Sequence, residues 1–142
     1  MIDQDSPVGL RPVDKKWPIG STFGETRSEA LIKKLGLKNP KHTGIDFKCP
    51  VGTPILAYRD GKVIIAYENE DGFGKRIWVE HGRYRDGYCH LSEFFVSAGD
   101  LVKQGQVIGL SGKSGKCEGP HLHFEVRIAL DRMPVAPFFY DA

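Results

Sequence analysis

The chain has 142 residues, 40% hydrophobic and 27% charged, with a formal net charge of +2 at pH 7. That length fits one domain able to bury its own core, and the balance of apolar and charged residues excludes a disordered chain. The near-neutral charge gives no basis for a nucleic-acid partner, and no apolar run reaches the roughly 18 residues that a membrane span needs. Residues 1–16 read as an irregular arm ahead of a single domain over 17–142. The arm's start, Met1-Ile2-Asp3-Gln4-Asp5-Ser6-Pro7, lacks the basic and apolar regions of a secretory signal. The expectation is therefore a soluble chain made in the cytoplasm, although an excised domain of an exported protein has the same appearance.

Within the domain, 19–23 reads as a first strand. Thr26 and Glu29 fit a capping box, and Ala30, Leu31 and Leu35 follow with Gly36 in the stop position, which predicts a short helix near 27–35. Lys38-Asn39-Pro40 breaks the chain. Strands are predicted at 43–47, 54–58, 62–68, 75–81, 84–91, 106–110 and 121–129. Turns fall at Asp60-Gly61, Asp71-Gly72, His81-Gly82, Asp86-Gly87 and Ser111-Gly112. Seventeen glycines and nine prolines spread among short β-rich runs mark an all-β domain with one short helix near its N-terminus. Cys49, Cys89 and Cys117 form no C-x-x-C pair, so they read as small thiols rather than as a zinc site.

Chemistry concentrates in three segments. In Gly119-Pro120-His121-Leu122-His123-Phe124-Glu125-Val126-Arg127, strand alternation puts His121, His123, Glu125 and Arg127 on one face and Leu122, Phe124 and Val126 on the other. In His42-Thr43-Gly44-Ile45-Asp46 an imidazole and a carboxylate stand four residues apart, and the flanking Pro40, Gly44 and alternating Thr43, Ile45 and Phe47 favour a strand. Two nitrogens and one oxygen from His42, Asp46 and His123 suit a catalytic zinc whose fourth position is left to water. His90 and His121 are then free to handle protons near neutral pH. Alternation places Tyr88 on the side of His90, as a substrate-binding residue, and turns Cys89 the other way. Glu125 and Arg127 read as an ion pair or as support for a ligand. His81, before Gly82, reads as a turn or strand-end residue.

These motifs resemble the lysostaphin-type (LytM) zinc metallopeptidases. The likeness covers roughly 17–137 and includes His42-x-x-x-Asp46, Tyr88-x-His90-Leu91-Ser92 and Gly119-Pro120-His121-x-His123-Phe124-Glu125. It also takes in Gly52-Thr53-Pro54, Asp60-Gly61-Lys62-Val63, His81-Gly82 and the run from Val102 to Gly109. The resemblance implies an antiparallel barrel-sandwich of duplicated hybrid motifs with a groove over the metal. It implies one zinc ion per chain held by His42, Asp46 and His123, with His121 as general base and His90 stabilising an oxyanion or protonating the leaving amine. The implied substrate is a cross-link or stem peptide of bacterial peptidoglycan, cut by a monomer acting on the cell wall, as a phage lysin or a trimmed bacterial autolysin would. The 25–41 insertion stands where relatives carry a different loop beside the groove, so substrate preference does not transfer. Two other readings are a non-catalytic regulatory module of this fold, disfavoured by the full ligand set, and a phosphocarrier of related hybrid β fold, which has no need of Asp46.

Overall fold

The computed structural model describes residues 8–26, 28–36, 41–69, 74–115 and 119–140. Among them are twelve strands and one helix: β1 (Val8–Gly9), β2 (Ile19–Ser21), α1 (Glu29–Leu35), β3 (Ile45–Phe47), β4 (Pro54–Leu56), β5 (Gly61–Asn69), β6 (Gly74–His81), β7 (Tyr84–Phe94), β8 (Leu101–Val102), β9 (Val107–Ser111), β10 (Leu122–Ile128), β11 (Pro134–Val135) and β12 (Phe138–Phe139). Ten strands make one sheet, ordered β2-β3-β10-β7-β6-β5-β8, with β11 on β10 and with β9 bridging β7 to β4. Every pairing in it is antiparallel. The fold class is the all-β one expected from the sequence.

Strand β7 explains how the sheet closes on a core. Its first part pairs with β6 and β10, whereas Leu91–Phe94 pairs with β9, across a register shift between Leu91 and Glu93. The β4–β9 arm therefore folds over the main sheet. Ile55 and Ile108 from that arm join Phe47, Ile77, Tyr88, Leu91, Leu122, Phe124 and Val126 in one buried cluster. Burying a side chain of this size stabilises the fold by about 1.5–3 kcal/mol. Apolar alternation in β10 is thus met by full burial of Leu122, Phe124 and Val126.

Two local expectations change. The helix begins later than the capping box suggested: Ser28 is the N-cap, its hydroxyl accepting the Leu31 N–H at 3.1 Å. Thr26 instead bridges to Lys41, so tertiary pairing outcompetes the local cap. Gly36 closes the helix in the left-handed conformation, as expected. Within 8–16 only β1 is regular structure, pairing in parallel with β12, yet the stretch packs on the domain, with Val13 buried in the core. The Arg11 guanidinium holds the turn beneath, donating to the carbonyls of Asp14 and Trp17. Such two-residue strands carry no period that a sequence pattern can register. Cys49 and Cys89 are buried; Cys117, Met1 to Pro7, the Lys38-Asn39-Pro40 break and the Asp71-Gly72 turn lie outside the described residues.

Candidate metal centre

Strand register builds the site. In β10, His123 lies directly opposite Asp46 of β3 on one side and opposite Cys89 of β7 on the other. Directly opposed residues have Cβ atoms about 5 Å apart and share a face, which is why groups 77 positions apart in sequence touch. Gly44 permits this approach, since a Cβ there would stand 2.2 Å from the Phe124 carbonyl oxygen of β10. His42 lies just before β3 and not within it, yet its ring reaches the same point.

Three donor atoms converge. Asp46 Oδ1 is 2.8 Å from His123 Nδ1 and 3.1 Å from His42 Nε2, and the two nitrogens are 3.1 Å apart. The proton positions follow from the outer partners. His42 Nδ1 stands 3.0 Å from the Thr22 carbonyl, which only accepts, so that nitrogen carries the hydrogen and Nε2 presents a lone pair. His123 Nε2 donates to Glu125 Oε2 at 2.6 Å, so Nδ1 is the nitrogen that faces Asp46. Without an ion that Nδ1 holds a proton against the carboxylate; once the proton leaves, two nitrogen lone pairs and a carboxylate oxygen face one point. A divalent cation satisfies all three, so the residues fit the metal that the motif implies; the set of two imidazoles and one carboxylate is a catalytic-zinc donor set.

Electrostatics record the same demand. Burial acts to raise the Asp46 pKa, but the hydrogen bonds from His123 and His42 outweigh it and hold the carboxylate well below its ordinary range. Burial acts to lower His123, yet Asp46 and Glu125 on its two nitrogens push it up to about 9. Glu125 is likewise drawn down to about 2 against its burial, by His123 and then Arg127. Glu125 is fully buried and also accepts from Thr43 Oγ1 at 2.6 Å and from Arg127 Nε. The ion pair that the sequence suggested is therefore a support that orients a ligand ring.

Two further imidazoles border the centre. His121 Nδ1 donates to the Gly119 carbonyl at 2.9 Å, turning Nε2 toward Asp46 Oδ1 at 3.6 Å. His90 Nδ1 donates to the Ser114 carbonyl at 2.6 Å, and its ring centroid is 4.8 Å from that of His121 and 6.0 Å from that of His123. Burial, reinforced by His121 and His123, lowers His90 to about 4, so it is neutral near pH 7. The structure thus gathers His42, Asp46, His90, His121 and His123.

Tyr88 is not among them. Strict alternation would keep it beside His90, but β7 carries an extra residue here: Lys75–Ile77 of β6 oppose Leu91–Tyr88, and His90 has φ +65°. This bulge turns His90 out of the core side while Tyr88, paired with Phe124, stays in it. Tyr88 is wholly buried, its hydroxyl accepting the Tyr58 N–H at 2.9 Å. Cys89, in register with His123, also lies on the face opposite to the one expected. His81 is a strand-end residue, hydrogen-bonded to Asp86 at 2.6 Å. Sequence reasoning missed the carbonyls of Thr22, Ser114 and Gly119, which fix three imidazole tautomers; a backbone group leaves no trace in residue identity.

An antiparallel β domain presenting two histidines and an aspartate around one point, flanked by two further histidines, defines the metallopeptidase class. The chain belongs to peptidase family M23, whose sequence profile matches residues 40–137. It is 40% identical over 116 residues to the peptidoglycan DD-endopeptidase ShyA of Vibrio cholerae, covering 81% of this chain and 26% of that protein. Over 93 residues it is 45% identical to the glycyl-glycine endopeptidase ALE-1 of Staphylococcus capitis, covering 64% and 26%. The chain thus spans about a quarter of the length of these curated relatives. Among solved structures, it superposes on the catalytic domain of lysostaphin from Staphylococcus simulans with a TM-score of 0.76 at 32% identity, covering 86% and 90%. A zinc-containing peptidase from Vibrio cholerae gives 0.77 at 38% identity, covering 88% and 37%.

Proposed function

We propose that this chain is a zinc-dependent endopeptidase that hydrolyses peptide bonds in the cross-links or stem peptides of bacterial peptidoglycan. The carrying observation is the convergence of His42 Nε2, Asp46 Oδ1 and His123 Nδ1, with the two flanking imidazoles pinned by backbone carbonyls. One relative is named as a peptidoglycan DD-endopeptidase and another as a glycyl-glycine endopeptidase, so the reading is made at the level of peptidoglycan peptide and not of one bond.

His42, Asp46 and His123 would hold the zinc. When bound, zinc acidifies water and polarises the scissile carbonyl. His121, with its hydrogen fixed on Nδ1 by Gly119, offers the Nε2 lone pair that takes the proton of the attacking water. His90 starts neutral, its Nδ1 hydrogen held by Ser114, so its Nε2 is also an acceptor in the resting site; it becomes a donor only after receiving a proton. That proton is the one His121 took from the water, passed between rings whose centroids are 4.8 Å apart; as the carbon–nitrogen bond breaks it goes to the leaving amine, while the water's hydroxyl stays on the carbonyl carbon. All five side chains come from one chain, so a monomer suffices and the cell wall is the place of action.

Metal analysis of the purified chain should give about one zinc per molecule. Purified peptidoglycan should yield new amino termini by mass spectrometry, an activity lost on chelation and restored by zinc. Cleavage that survives exhaustive metal removal would falsify the proposal.

A further inference from the structure

We infer that Ser114 is a positioning residue for His90, an inference that rests on the hydrolase reading above for its kinetic consequence. Its hydroxyl clamps the β-bulge that presents the ring, while its carbonyl fixes the ring's tautomer.

His90 has a left-handed backbone, a conformation costing a residue with a Cβ on the order of 1 kcal/mol. Something must hold it there. At the bulge, the hydroxyl of Ser114 takes one backbone group from each strand, donating to the Leu91 carbonyl at 2.8 Å and accepting the Lys75 N–H at 3.0 Å. One side chain thus ties β6 to β7 immediately beside His90. The same residue's carbonyl receives the His90 Nδ1 hydrogen at 2.6 Å. Displacing the hydroxyl therefore moves the carbonyl as well.

Gly74 is part of the device. A Cβ there would meet the Ser114 carbonyl carbon at 2.5 Å, and its φ of +66° is itself left-handed. The segment carrying Ser114 can lie against β6 only because position 74 has no side chain. Ser92 fastens the neighbouring stretch, donating to the Ser111 carbonyl at 2.8 Å. Ser114 holds His90 Nδ1 directly, so its effect on the reaction passes through that ring.

Three variants test this: Ser114→Ala, Ser114→Thr, which retains the hydroxyl, and Gly74→Ala, which pushes the segment away. Nitrogen-15 NMR of the histidine rings reads the His90 tautomer in the zinc-loaded chain. In the parent protein and Ser114→Thr, His90 should be the Nδ1–H form; in Ser114→Ala and Gly74→Ala it should become a mixture, with zinc content unchanged. Because proton transfer by a positioned side chain contributes about 10²–10⁴-fold, partial misplacement should lower kcat roughly tenfold with KM little altered. Ser114→Ala with the parent's tautomer, or a kcat equal to the parent's, overturns the inference, as does loss of zinc alongside activity. If the parent itself cleaves no peptidoglycan peptide, the hydrolase reading fails, and the tautomer comparison still decides the role of Ser114.

Discussion

Among the described residues two aspartates, Asp46 and Asp86, contact histidines, and they do opposite things. His81 and Asp86 meet at 2.6 Å with side chains 1% and 0% exposed, and among the described residues His81 Nδ1 and Asp86 Oδ2 have no partner. Burial drives the Asp86 pKa up despite the hydrogen bond from His81. Asp46, 25% exposed, receives two imidazoles and is driven down. The residue types are the same. What separates them is that the Asp46 centre brings ligand atoms from three side chains to one point beside solvent, whereas the Asp86 pair is sealed among Tyr58, Tyr84 and Tyr88. One is a place for a cation; the other is a polar contact within the core.

The largest effect that tests this contrast comes from within the metal centre. His42→Ala should lose both zinc and turnover, whereas His121→Ala should keep its zinc and lose turnover by roughly 10²–10⁴-fold. Metal content measured beside cleavage rate separates the two; equal zinc loss in both would show that His121 is a ligand. The sealed pair should answer in stability. His81→Ala leaves Asp86 buried without its partner and should cost about 3 kcal/mol in urea denaturation, with zinc content and turnover per folded molecule unchanged. A cost within the 0–1 kcal/mol typical of exposed pairs would put the pair at the surface energetically.

The smallest expected effect is on pH. His123 titrates at about 9 in the folded metal-free chain against an ordinary 6.5. A raised folded pKa means that its protonated form stabilises fully below about 6.5, and that this contribution is lost as pH rises through 9. The thermal midpoint of the metal-free chain should therefore fall by a few degrees between those limits, and His123→Asn should flatten the slope. A midpoint that rises over this range would contradict the carboxylate pairing of His123.

Particular residues show how much was legible. Leu122, Phe124 and Val126 declared a core face by period alone, and burial followed. His42, Asp46 and His123 declared their chemistry by residue type and spacing, and they meet. Tyr88 failed because alternation assumes a regular ladder, and one inserted residue at His90 reverses facing. Strand β1 was not legible because a two-residue strand is stabilised by a partner, β12, about 130 positions away, which no local pattern encodes.

By itself the sequence determined the longer strands, the buried face of β10 and the chemical groups available, since side-chain periodicity and identity are local properties. Tertiary structure alone decided which groups meet. Register across β3, β10 and β7 set His123 beside Asp46, a bulge turned His90 away from the core, and the carbonyls of Thr22 and Ser114, about 20 positions away, chose which nitrogen of His42 and His90 carries its hydrogen. The reason is that pairing and backbone hydrogen bonds join residues far apart in the chain, and their energies depend on geometry that residue order does not carry.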